Sequence, residues 1–311
     1  AIFQKKIIFG KLGLIIIDEQ HKFGVNQRKK LSDKGGDDCD VLLMTATPIP
    51  RTLTMTIYGD MDISIIREKP KNRKPVKTYS KPESKIDEVL KFIQKEIKFG
   101  NQVFWVCPLI EESKKIDHSS AIKKFEYLKK KFPNKVALIH GKTDNQEKEK
   151  ILNKFLNKKF QILVSTTIIE VGIDFPNANV IIIENANKFG LSQLHQLRGR
   201  VGRGDKDSTC ILMFKSNLSD NARKRINILK ETNDGFLISE EDMKIRGFGD
   251  VLGFKQSGNK NFKLADPVHN SDLFFLAEKE MKRIENSNED ISKFKPLIKL
   301  YDKADIINDI A

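Results

Sequence analysis

Cysteine is scarce in this 311-residue chain: Cys39, Cys107 and Cys210 lie far apart and form no CxxC pair. The five histidines do not cluster with them, so neither a disulfide framework nor a zinc site of ordinary ligand spacing finds support. That usage suits a reducing compartment. No apolar run approaches the roughly 18 residues of a membrane span. The longest strong one, Leu12 to Ile17, has the length of a strand. No secretory leader pattern stands at the N-terminus, so the sequon Asn217-Leu218-Ser219 carries no weight. Acidic residues are also in deficit, 42 against 56 Lys+Arg, for a net charge of +14. Such a balance favours a polyanionic partner. Lysine is abundant throughout the chain, so charge by itself leaves nucleic acid and a solvated basic surface both open.

What is present reads as alternating strands and helices, the pattern of parallel α/β sheets. Length alone suggests about two domains. Leu12 to Ile17 and Val41 to Thr45 read as strands buried on both faces. A charged, proline-bearing linker, Arg67 to Pro75, follows. Helices are expected at Glu83–Lys98, Ser120–Phe132, Asn145–Leu156 and Ser219–Thr232. Between them lie strands at Gln102–Val106, Val136–Ile139, Ile162–Ser165 and Val180–Glu184. Helices at Val268–Glu285 and Ile291–Ile310 are expected to close the chain.

Several stretches carry chemistry. The first strand ends in Asp18-Glu19-Gln20-His21 and the second in Thr45-Ala46-Thr47-Pro48. Strand C-termini are where open α/β sheets bind ligands, and paired carboxylates there can hold Mg²⁺ and orient a water. The stretch 193–204, QLHQLRGRVGRG, sets Arg198, Arg200 and Arg203 among three glycines. Small residues let a backbone approach a ligand, and guanidinium forks bind phosphate oxygens in pairs. A phosphate-cradling GxxxxGK[ST] loop is lacking: Gly141-Lys142-Thr143 has Val136 where the first glycine is needed. Glu111 and Glu112 read as a solvated turn rather than paired catalytic acids.

Taken in order, these stretches resemble motifs of superfamily 2 helicases and translocases. DEQHKFGVNQR (18–28), MTATPIPRTLTMTIYGDMDISII (44–66), CPLIEES (107–113) and EEDMKIRGFGDVLGFKQSG (240–258) are similar to the RecG family. The related Mfd family, with its transcription-repair coupling translocases, is the alternative, but it favours DEEH over the DEQH seen here. The resemblance implies RecA-like parallel-sheet motor domains followed by a helical translocation region. The expected limits are 1–68 for part of a first motor domain, 69–232 for a second, and 233–311 for a translocation hairpin and closing helices.

The resemblance also implies roles. Asp18 would bind Mg²⁺ and, with Glu19, serve catalysis. Arg200 and Arg203 would act as arginine fingers across the cleft between motor domains. Gln20, His21, Gly172, Asp174 and Gln196 would face ATP. Thr45, Thr47, Thr166, Arg225, Arg246 and Gln256 would contact DNA or couple to it. The usual RGPG of the translocation loop reads Arg246-Gly247-Phe248-Gly249 here. The implied activity is ATP-dependent translocation on branched double-stranded DNA, at forks and Holliday junctions, in repair and recombination. The implied setting is the bacterial cytosol, as a monomer, with single-stranded DNA-binding protein as a further partner and no membrane. The phosphate loop and a wedge domain are expected upstream of this chain. Two readings stay open at this point: part of an active motor, or a DNA-binding piece that does not turn over ATP alone.

Overall fold

The computed structural model describes residues 2, 4, 6–19, 23, 25–36, 38–46, 62–68, 70, 73–108, 114–166, 175–246, 270–287 and 290–296. The chain divides into two compact units, Ile63–Arg246 and a second made of Ala1–Asp62 with Gly247–Ala311.

In the second unit β1 (Leu14–Ile17) pairs in parallel with β2 (Asp40–Leu43), with α1 (Val25–Gly35) between them in the chain. Ile15 and Ile17 are buried with Leu31 of α1, whereas Leu14, Ile16 and Leu42 are about half exposed. The continuous apolar run reads as a strand covered on both faces. Among the described residues, the sheet has two strands with α1 packed on one face, and alternation sends every second side chain to the other face. A longer helix, Ser271–Asn286, and a short 3₁₀ turn, Ile291–Phe294, complete the described part of this unit. The remainder of the helix expected to run on to Ile310 lies outside the described residues.

The unit 63–246 holds a six-stranded parallel sheet. Its strands are β3 (Lys77–Pro82), β4 (Gln102–Val106), β5 (Val136–Ile139), β6 (Ile162–Ser165), β7 (Ala178–Ile183) and β8 (Thr209–Phe214). Their spatial order is β3-β8-β7-β4-β6-β5. Five helices flank them: α2 (Ile86–Lys98), α3 (Lys114–Lys131), α4 (Asn145–Leu156), α5 (Leu191–Arg198) and α6 (Asp220–Glu231). A sixth helix, α7 (Gly235–Arg246), packs on α5 and α6.

Alternation along the central strands builds two cores. Phe104 and Val106 of β4, with Ile181 and Ile183 of β7, meet side chains of α4, α5 and α6, among them Phe155, Leu194 and Leu229. Val103 and Trp105, with Val180 and Ile182, meet Ile93 of α2 and Leu128 of α3. Both faces are covered, which is why these strands read as continuous apolar runs. The helices start where local chemistry satisfies their first amides: Asp144 accepts from Gln146 N at 3.0 Å, and Ser219 from Ala222 N at 3.4 Å.

Phe155 is fully buried, 5.4 Å from the Phe104 ring centroid and 5.5 Å from that of Phe175. Phe155→Ala should cost about 3–5 kcal/mol, read as a lowered denaturant midpoint with an unchanged slope. A loss under about 1 kcal/mol would mean that this aromatic cluster does not hold the sheet to α4.

Candidate functional site

The 193–204 stretch begins on α5, an eight-residue helix too short for its apolar period to stand out in the sequence. Its buried leucines, Leu191, Leu194 and Leu197, face the core, and the amide of Gly190 donates to Gln193 Oε1 at 3.0 Å. The three arginines that follow have different environments. Arg198 is 2% exposed. Its guanidinium donates to the carbonyls of Leu229 (2.6 Å) and Thr232 (2.9 Å), at the C-terminal end of α6, and lies 3.0 Å from His195 Nδ1. Burial lowers its pKa from the usual arginine value. Arg198 is therefore a helix-capping residue, with its donors engaged inside the fold. Arg200 and Gln196 are half-buried and Arg203 is exposed.

The loop after α5 has tight backbone requirements. Gly202 has φ +76°, and a Cβ there would come within 3.0 Å of Val76 Cγ2. Arg73, in the stretch read as a loose linker, donates to the Gly199 carbonyl at 3.2 Å. Lys74 and Lys77 meet Asp207 at 3.0 and 3.2 Å. These last pairs are exposed, so they contribute little to stability, but together they bring the linker alongside the arginine loop.

Arg225 and Arg246 converge at the opposite end of α5. Arg246 Nε donates to Asp242 Oδ1 at 3.1 Å, while the Ser192 hydroxyl, at the start of α5, donates to the other oxygen of Asp242. Arg246 also crowds Gly190 closely enough that a Cβ there would collide with the guanidinium. Arg225 donates to the Asn187 carbonyl at 3.1 Å, and its Nε is buried with no hydrogen-bond partner among the described residues. Burial lowers the Arg225 pKa, while Asp242 acts to raise it and Arg246 to lower it. Arg246 thus pairs with the buried Asp242, and Arg225, 21 positions earlier in sequence, feels that charge while bonding to the Asn187 carbonyl; both stand about 12 Å along α5 from the loop of Arg200 and Arg203.

The C-terminal edge of the sheet carries a third group. Thr166 directly follows β6, is 3% exposed, and its hydroxyl has no partner among the described residues. Beside it, at the ends of β4 and β7, Glu184 accepts from Trp105 Nε1 at 2.9 Å and pairs with Lys124 at 3.0 Å. The Cys107 thiol lies 3.5 Å from the same carboxylate, and burial with that charge pushes its pKa up. Lys124 also sits 5.2 Å from the Trp105 ring centroid. Sequence reasoning missed this cluster. Its only signals were the lone tryptophan and a glutamate closing an apolar strand.

In the other unit, Asp18 is exposed at the end of β1 and accepts from the Glu19 amide at 2.8 Å. Glu19 has φ +51°, and its carboxylate accepts from the Ala46 amide at 3.4 Å, joining the two motif-bearing strand ends. Thr45 is half-buried in the same place. Gln20, His21, Thr47, Gly172, Asp174 and Gln256 lie outside the described residues. Among the described residues, no group of three His, Cys, Asp or Glu gathers to hold a metal, and no helix is long and apolar enough to cross a membrane.

Residues 84–205 match the helicase conserved C-terminal domain, and residues 232–301 match domain 3, C-terminal, of the ATP-dependent DNA helicase RecG. The chain is 51% identical over 271 residues to the ATP-dependent DNA helicase RecG of Bacillus subtilis (strain 168), covering 86% of this chain and 39% of that protein. It is 47% identical over 310 residues to the protein of the same name from Aquifex aeolicus (strain VF5), covering 97% of this chain and 39% of that one. A solved structure of RecG bound to a three-way DNA junction superposes with a TM-score of 0.66 at 43% identity, covering 87% of this chain and 34% of that one. The chain thus spans about two fifths of the length of these curated relatives.

The division of labour among the arginines can be measured. Arg198→Ala leaves two carbonyls without their charged donor and should destabilise by about 2–4 kcal/mol, whereas Arg203→Ala should stay within about 0.5 kcal/mol of the parent. Equal effects on the denaturation midpoint would contradict the assignment. The thiols offer a second check. Burial raises the Cys107 pKa and raises that of Cys210 to about 12, so both stay protonated and unreactive at pH 8 in the folded chain. A thiol reagent should label Cys39 alone before unfolding and all three cysteines after it.

Proposed function

This chain belongs to the RecG family of superfamily 2 helicases over the stretch it shares with those relatives, and on that premise we propose that it serves an ATP-dependent translocase acting on branched double-stranded DNA. One observation carries the proposal. Arg198 is spent on capping α6, and Arg200 and Arg203 follow it on a loop whose glycines keep the backbone tight. Fixed guanidinium groups of this kind stabilise charge that develops on a transferring phosphoryl group. Arg200 and Arg203 take the role of arginine fingers, and Gln196, one turn back on α5, faces the nucleotide with them.

Asp18 is an exposed carboxylate at a strand end and suits one oxygen ligand to Mg²⁺; Glu19, anchored on the Ala46 amide, suits orientation of the attacking water. A cation with so few protein ligands fits the habit of Mg²⁺, which keeps most of its shell as water and phosphate. Bound ATP supplies the free energy of γ-phosphate cleavage. Gln20, His21, Gly172 and Asp174 are assigned to the same nucleotide.

Thr166 is assigned to the DNA backbone, and its buried, unpartnered hydroxyl at the strand end supports that assignment. Arg225, through the Asn187 carbonyl, and Arg246, through Asp242, couple to translocation, with Thr45, Thr47 and Gln256 in supporting contacts. The match to RecG domain 3 favours this reading over a transcription-coupling translocase of the Mfd kind. The functional limits proposed are 1–68, 69–232 and 233–311, with α7 beginning the translocation element. Forks and Holliday junctions are the proposed substrates. The setting is DNA repair and recombination in the bacterial cytosol, as a monomer and with single-stranded DNA-binding protein as a partner.

In the complete protein, Arg203→Ala should lower DNA-stimulated ATP hydrolysis about a thousandfold or more while leaving ATP affinity near that of the parent. Turnover that survived the change would remove Arg203 from the catalytic assignment.

A further inference from the structure

The N-terminal edge of the six-stranded sheet carries a concentration of charge that the motor residues do not use. Helix α3 ends in Lys129, Lys130 and Lys131, and Lys135 follows just before β5. Helix α4 carries Lys154 in its last turn, and Lys158 and Lys159 follow just before β6. All seven ammonium-bearing residues are exposed. The two turns are side by side: the amides of Gln161 and Ile162 both donate to the Lys135 carbonyl, at 2.8 and 2.9 Å. Lys158 and Lys159 are held in the adjoining turn by bonds to the Phe155 and Lys154 carbonyls.

Acids are absent from both stretches. No Asp or Glu occurs between 127 and 143, nor between 150 and 169. Lys129 lies 5.5 Å from the Phe125 ring centroid. Among the described residues, no ion pair engages Lys130, Lys131, Lys135, Lys154, Lys158 or Lys159. Helix C-termini attract cations, but each terminus carries only about half a charge. Seven lysines exceed what two termini balance, and the surplus is relieved by an external polyanion.

We propose that this edge is a second docking surface for duplex DNA, on the opposite side of the sheet from Thr166. The proposal rests on the reading of the chain as part of a DNA-acting motor. The chemistry selects the phosphate backbone of a duplex. Phe132 is buried, and Phe125 and Phe160 are partly buried with their rings packed against the cores, so the surface offers no fully exposed ring on which unpaired bases could stack. Flexible ammonium groups without a positioned amide or guanidinium fork recognise charge rather than sequence. A branched substrate presents more than one arm, and a surface on each edge of the sheet can hold two segments at once.

The test uses this chain and a short labelled duplex of arbitrary sequence, with affinity measured by fluorescence anisotropy across a salt series. The variant Lys130→Gln/Lys131→Gln/Lys158→Gln/Lys159→Gln should raise Kd about tenfold or more near 0.1 M salt. It should also make the log Kd against log salt slope shallower by about 2–4. A control, Lys91→Gln/Lys215→Gln/Lys230→Gln/Lys279→Gln, removes the same charge elsewhere and should change Kd less than about threefold. The positions are exposed, and an unchanged melting curve confirms that both variants fold. An unaltered slope, an equal loss in the control, or a loss seen with single-stranded but not duplex DNA overturns the surface. If the parent chain binds the duplex and the Lys130/Lys131/Lys158/Lys159 variant binds it equally well, the surface alone fails. If the parent chain binds no duplex DNA at all, the surface and the motor reading fall together.

Discussion

Arg198 is the constraint on which the arrangement of this site depends. A guanidinium taken out of water is tolerable only where its donors find acceptors, and here the carbonyls at the end of α6 provide them. That requirement ties α5 to α6 at one fixed separation. Everything downstream inherits it. The loop of Arg200 and Arg203 leaves α5 in a set direction, and Arg225, one helix over, is carried to the start of α5. Arg73 then reaches Gly199 and draws the linker alongside the same loop.

The two ends of α5 are consequently linked through a short rigid element. At one end stand the arginines assigned to nucleotide; at the other, Ser192 and Arg246 both meet Asp242. Asp242 is buried and paired, and removing Arg246 would leave its charge uncompensated in a low-dielectric setting. A displacement at the arginine loop therefore has a stiff path to Arg225 and Arg246. The Glu184 cluster follows the same logic at the sheet edge. A carboxylate accepting from Trp105 and pairing with Lys124 holds α3 against the strand ends beside Thr166.

Much of this was legible beforehand. Strands β4, β5 and β6 and helices α2, α4 and α6 fall within a residue or so of the limits read from period and capping, or within three for the start of α2. Their apolar runs and caps are local signals. Strand β3 was not seen, because KTYSKP is a polar edge strand whose pairing with β8 is decided by the backbone register Lys77↔Thr209. Strand β8 itself, TCILMF, is apolar but was overshadowed by the arginines before it. Helix α3 begins six residues earlier than its periodicity suggested.

The parallel α/β class, the order of motif-bearing strand ends and the residue types at each are legible along the chain, because they rest on side-chain periodicity and on residue chemistry within a few positions. The resemblance singled out Arg200 and Arg203 and left Arg198 without a task, because the three share one local context of glycine and arginine. Its task emerges in the fold, where the carbonyls of Leu229 and Thr232 come within reach of its guanidinium. The same is true of Asp242 against Arg246 and of Glu184 against Trp105. Burial and partnership are set by which helix lies across which strand end, and that information is spread along the whole chain.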